Sequence, residues 1–112
     1  MKILNFGSLN IDYTYKVDRF VQPGETKTSQ SLQTGAGGKG LNQSVALAMA
    51  GAEVYHAGLL GKGGAFLRTA LADCGVDCGY LSESKAQNGH AIIQLDEKGR
   101  TASCSTPARI IC

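Results

Sequence analysis

The 112-residue chain has no tryptophan and only two prolines. It also lacks a dominant charge: 11 Lys and Arg stand against 9 Asp and Glu, a net +2. The basic residues form no run or stripe, so composition argues against a nucleic-acid partner. No apolar stretch is long enough for a membrane span. The most apolar window, Leu41 to Leu60, is broken by Asn42, Gln43, Glu53 and His56, whereas a span needs about 20 mostly apolar residues. The opening "MKILNFGSLNIDYTY" carries one Lys and then an Asp, without the apolar core of a signal peptide. The expected location is therefore the cytoplasm. Cys74, Cys78, Cys104 and Cys112 lack the paired short spacings of a zinc site, and the two histidines are not placed to complete one. Free thiols and no bound metal are expected.

Glycine, by contrast, is abundant: 15 residues, clustered rather than spread. Four of the seven residues Thr34 to Gly40 are glycine, and they run into an alanine-rich helical pattern. Around this cluster the periodicity predicts strand, flap, helix, strand, helix, strand. "KILNFGS" (Lys2 to Ser8) reads as a buried strand. Asp12 to Phe20 reads as a half-exposed strand, and Thr26 to Thr34 as its polar return after the turn "PGE". Leu41, Val45, Ala48, Met49 and Ala52 fall on one helical face, which predicts a helix over Lys39 to Ala50 stopped by Gly51. A strand over Ala52 to Leu60 follows. Phe66, Leu67, Ala70, Leu71 and Cys74 then mark a second helix stopped by Gly75. "VDCGYLS" reads as a short strand or a loop, and Gly89 to Asp96 as a clear strand. This order implies an α/β architecture with right-handed crossovers and a small antiparallel appendage.

"GAGGKG" (Gly35 to Gly40) satisfies the dinucleotide pattern G-x-G-x-x-G, yet its context is wrong. About twenty-five residues of flap separate it from the first strand, and Glu53 begins the next strand instead of ending it. A Walker A loop fails because Lys39 is followed by Gly40. The residues suit a different ligand. Bare backbone at Gly37, Gly38 and Gly40 opens a helix N-terminus, and Lys39 adds a flexible cation there. Asn42 adds an amide, while Asn10 and Asp12 leave the end of the first strand. Two amides, a carboxylate and a lysine suit a polyhydroxylated molecule, since each hydroxyl seeks both a donor and an acceptor. The plainer alternative makes Asn10 and Asp12 turn formers and the glycines a tight connection.

The segment "GGKGLNQSVALAMAGAEVYHAGLLG" resembles the N-terminal signature of the PfkB-type carbohydrate kinases. Gly37, Gly38, Gly40, Asn42, Ser44, Gly51 and Gly61 fall in its register. "GSLNIDYTYKVDRFVQPGET" and "NGHAIIQLDEKG" are similar to the ribokinase-like branch, and the likeness extends from Met1 to about Arg100. The resemblance implies a ribokinase-like, Rossmann-like three-layer α/β/α fold with a small antiparallel β lid, incomplete in this chain. The lid strands would occupy about 12–34 and 89–96. Asn10 and Asp12 match sugar-hydroxyl ligands. Gly38, Lys39, Gly40 and Asn42 match the loop on the other side of the ring, and Ala91 and Ile93 the lid contacts. Gly63 and Leu67 depart from the family's usual Asp and Gly.

The implied reaction transfers the ATP γ-phosphoryl group to a sugar hydroxyl, with Mg2+. The catalytic base, oxyanion hole and nucleotide loops belong to a Gly-Ala-Gly-Asp region that is absent among the 112 residues, so no catalytic residue is assigned. A homodimer formed through the lid is also implied. The alternative is a non-catalytic sugar-binding or dimerising module. Finally, Thr101 to Ala108 shows no alternation and offers no strand face. Residues 101–112 are therefore expected to be a non-native tail arising from a shifted reading frame. Reading from the third base of the Arg100 codon would force three apolar residues where a lid strand is wanted.

Overall fold

Two sheets grow from one chain because the first strand hands over to a lid before its own sheet is finished. The computed structural model describes residues 1–106. In chain order it contains β1 (Lys2–Phe6), β2 (Asn10–Lys16), β3 (Ser31–Gly37), α1 (Lys39–Met49), β4 (Glu53–Lys62), α2 (Ala65–Asp73), β5 (Asp77–Gln87), β6 (His90–Leu95) and β7 (Thr101–Thr106). The main sheet has the order β1-β4-β5, all parallel, and the lid has the order β3-β2-β6-β7. The lid is antiparallel at both edges, and its two hairpins meet through the parallel pair β2–β6. No helix among the described residues is long and apolar enough to cross a membrane.

Both helices cover one face of the main sheet. Leu41 of α1 and Leu67 and Leu71 of α2 share a core with Val54, Leu60, Val76 and Leu81. Each helix ends where Gly51 or Gly75 takes a positive φ, 96° and 86°, which glycine adopts at little cost. The predicted stripes are only partly buried. Met49 is 79% exposed and Cys74 is exposed, while Ser44 is fully buried.

The opposite face of the sheet is bare. Leu4, Phe6 and Tyr80 are each more than half exposed, and Tyr80 meets Tyr55 edge-to-face with centroids 6.1 Å apart. Parallel sheets are stable when both faces are covered. The described residues thus form two of the three expected layers, together with the lid.

Two strands differ from expectation for the same reason. β5 runs for eleven residues instead of being short, and β7 forms where no strand face is readable. β5 pairs with β4 through a bulged register, and β7 pairs with β6 from His90↔Thr106 to Leu95↔Thr101. Over 101–105 side-chain burial contributes little to β7: Thr101, Ser103, Cys104 and Ser105 are exposed and Ala102 is half-buried, so backbone pairing carries that stretch. The rest of the expected tail, 107–112, lies outside the described residues.

Candidate functional site

The site begins where β1 hands over to β2. Asn10, Asp12 and Thr14 share one face of the lid, and registration brings the partners of Asp12 beside it. Gly35 lies across on β3 and Ala91 across on β6. Ile93 lies opposite Thr14, two residues further along the same face. Asn10 pairs with Gly37, the last residue of β3. Gly38 then turns the chain into α1 at φ 101°, as an N-cap without a side-chain hydrogen bond. Lys39 and Asn42 follow as exposed residues of the first helical turn.

The glycines proved to be shaped by the chain itself. Gly35 and Gly37 belong to β3 rather than to a loop. A Cβ on Gly37 would lie 2.6 Å from the Asp12 carboxyl carbon. Gly40 is buried with its Cα against Gly7, so its lack of a side chain serves the β1–β2 junction.

The polar groups left at this junction are short of partners. Asn10 Oδ1 is buried and accepts no hydrogen bond among the described residues. Neither Asp12 nor Lys39 has an ion-pair partner among the described residues. Burial pushes the Asp12 carboxyl above the usual Asp range, as expected for a carboxylate that loses water without gaining a donor. A buried acceptor without a donor costs about 1–3 kcal/mol, which a ligand hydroxyl would recover.

Sequence reading missed two polar clusters. Asn88 is buried. Its Nδ2 donates to Leu9 O at 2.9 Å and to Gly89 O at 2.8 Å, and its Oδ1 accepts from the Gly61 amide at 2.8 Å. It pins the lid to the end of β4. The second cluster, Asn5, Ser44 and His56, lies beneath the glycine loop. His56 Nδ1 is 2.6 Å from Ser44 Oγ, and Asn5 Nδ2 donates to Ser44 Oγ at 3.0 Å. Periodicity treats such residues as interruptions of an apolar face, so neither cluster has a local signal.

Burial pushes the His56 imidazole below the usual His range, and the Gly7 carbonyl opposes this more weakly. The fold therefore holds neutral His56, while the unfolded chain takes up a proton below about pH 6.5. This contribution to stability is complete above about pH 6.5 and is lost as pH falls towards the lowered folded value. Urea unfolding is expected to show a lower midpoint at pH 5 than at pH 7.5. The drop should be smaller in His56→Phe, and an equal drop would assign it to other groups.

The lid and the α/β sheet meet at a junction that leaves polar groups without protein partners at a strand end and beside a helix N-terminus. The sequence model for the pfkB family carbohydrate kinases matches residues 1–109, and the chain belongs to that family. It is 39% identical over 92 residues to a ribokinase of Haemophilus influenzae, covering 80% of this chain and 30% of that protein. It is 36% identical over 101 residues to a ribokinase of Arabidopsis thaliana, covering 86% and 27%. Among solved structures, ribokinase from Cryptococcus neoformans in complex with ADP superposes with a TM-score of 0.82 and 35% identity. It covers 96% of this chain and 35% of that one. Arabidopsis thaliana ribokinase complexed with ribose and ATP gives 0.79 and 33%, covering 96% and 36%. The chain thus spans about a third of the length of these relatives.

Proposed function

We propose that this chain is the N-terminal, sugar-binding portion of an ATP-dependent carbohydrate kinase whose substrate is ribose or a close relative. The observation that carries the reading is the pairing of a buried, unpartnered Asn10 Oδ1 with an Asp12 carboxylate that has no donor among the described residues. Asp12 accepts hydrogen bonds from two ring hydroxyls, and Asn10 accepts one and donates one. Gly38, Lys39, Gly40 and Asn42 hold the other edge of the ring, and Ala91 and Ile93 close over its face. The relatives named as ribokinases, one of them complexed with ribose and ATP, support the choice of sugar and of phosphoryl donor.

No three His, Cys, Asp or Glu residues converge as a metal site among the described residues. In such a kinase Mg2+ would be held mainly by the nucleotide phosphates and by the nucleotide-binding remainder of the enzyme. This portion orients the sugar hydroxyl and excludes water, and phosphoryl transfer needs the nucleotide-binding remainder of such a kinase. On the outer face of the lid, Leu32 and Ile92 are 51% and 46% exposed. They supply the apolar surface for a homodimer formed through the lid. The cytoplasm, with its ATP, is the compartment this activity requires.

Ribose titration of the 112-residue chain, followed by amide chemical shifts, is expected to move Asp12, Gly38 and Ala91. Coupled ADP release with ATP, magnesium and ribose should stay at the no-protein level. An unmoved spectrum overturns the sugar site, and turnover shows that the catalytic groups have been misplaced.

A further inference from the structure

We propose that Asn5, Ser44 and His56 are positioning residues that hold the sugar loop against the end of β1 through a single directed chain of hydrogen bonds. The inference rests on the sugar-site reading above for its consequence, but not for its geometry. His56 and Ser44 are both fully buried, so they do not act as a hydrolytic nucleophile and base, which would need substrate access. Their partners are instead the two backbone segments that carry the site.

The direction of the chain is fixed by its end. His56 Nε2 lies 3.2 Å from the Gly7 carbonyl. A carbonyl can only accept, so Nε2 carries the proton and Nδ1 is left as an acceptor. The Ser44 hydroxyl therefore donates to Nδ1 at 2.6 Å. Its oxygen accepts from Asn5 Nδ2 at 3.0 Å, and the same amide reaches the Gly40 carbonyl at 3.0 Å. Each donated hydrogen has its own acceptor, the two of the Asn5 amide going to Ser44 Oγ and Gly40 O, and the reversed arrangement leaves His56 no donor for Gly7 O.

The chain runs from Gly40 in the first turn of α1, through β1, α1 and β4, back to Gly7 at the start of the turn that leads into β2 at Asn10. Gly7 and Gly40 touch backbone to backbone: a Cβ on either would fall 2.5 Å from the other's Cα. The Leu41 amide crosses the same contact to Ser8 O at 3.2 Å. Asn10 and Asp12 on one side, and Gly38, Lys39 and Asn42 on the other, are therefore registered at this contact. The buried polar chain allows one registration where apolar packing would tolerate several.

Three measurements on the 112-residue chain test this, using Ser44→Ala as the mild variant and His56→Phe as the volume-conserving one. Imidazole nitrogen shifts of the unmodified chain should show the Nε2–H form, and an Nδ1–H form overturns the proposal. Native-state hydrogen exchange at the Leu41 amide should accelerate at least tenfold in both variants. The Val76 amide, which is bonded to Leu71 O in the α2 turn, should change much less. Equal acceleration at both sites means the cluster contributes only global stability and overturns the positioning role. Ribose affinity should fall about tenfold in each variant and no further in the double variant, because one chain is broken once. Unchanged affinity in folded variants overturns the proposal. If the unmodified chain binds no ribose, the sugar-site reading fails by itself, and the exchange ratio between Leu41 and Val76 decides the positioning role.

Discussion

Gly40→Ala is expected to destabilise the chain by about 1–3 kcal/mol, although alanine is the better helix former. Gly40 is the second residue of α1, with an ordinary backbone conformation, so propensity alone favours alanine by about 0.5–1 kcal/mol. Sterics oppose this. The new Cβ would lie 2.5 Å from Gly7 Cα and 2.7 Å from the Ser8 nitrogen. These are backbone atoms that cannot rotate away, so α1 must shift off the β1–β2 junction. The shift would stretch the Leu41–Ser8 and Asn5–Gly40 hydrogen bonds and lift Leu41 from the core. The steric term wins. Gly35→Ala is the control, because nothing lies within 4 Å of its added Cβ and its φ is not positive. Urea unfolding should lower the midpoint for Gly40→Ala and leave Gly35→Ala within experimental error. Equal midpoints would mean that the Gly7–Gly40 contact yields at no cost.

How far such contacts can be foreseen depends on whether local pattern or distant pairing creates them. The two helices and their glycine stops are written in the spacing of Leu41, Val45 and Ala48 and of Leu67 and Leu71. Lys39 stands out as the one charge inside the glycine cluster, and Asp12 as a carboxylate at the end of the first predicted strand. β5 and β7 were not legible, since their backbones pair with β4 and β6 while their side chains leave few buried positions. The meeting of Asp12 with Ala91 was legible only through the family resemblance. It depends on a parallel pairing between segments almost eighty residues apart, and no local period encodes that. Ser44 is legible only as a small residue of the family signature and His56 only as a break in an apolar run; their pairing has no local signal, because the two lie twelve residues apart in the chain.

Asp12→Asn is expected to separate stability from sugar binding, with opposite signs. In the free chain the carboxylate is partly desolvated and has no donor among the described residues, which is why burial raises its pKa. The folded form binds the proton more tightly than the unfolded one. Its ionisation therefore costs stability, a cost absent at low pH that appears as pH rises through the usual Asp value towards the raised folded one. Asparagine has the same shape, fits the space left by Gly37, and removes that cost, so stability at pH 7 should be unchanged or slightly higher. Ribose binding should move the other way. A carboxylate accepts from two hydroxyls, whereas an amide presents a donor where one acceptor stood. The charge-assisted hydrogen bond lost is worth about 1.5–3 kcal/mol, or roughly a 10- to 150-fold weaker affinity. The same logic makes ribose binding by the unsubstituted chain weaken on acidification, as Asp12 takes up its proton, and makes binding by Asp12→Asn nearly independent of pH in that range. Urea midpoints and ribose titrations, run in parallel at pH 7 and pH 4.5, measure both quantities. A variant that loses stability and affinity together would place Asp12 in the framework of the lid instead of at the sugar, and unchanged affinity would remove it from the site.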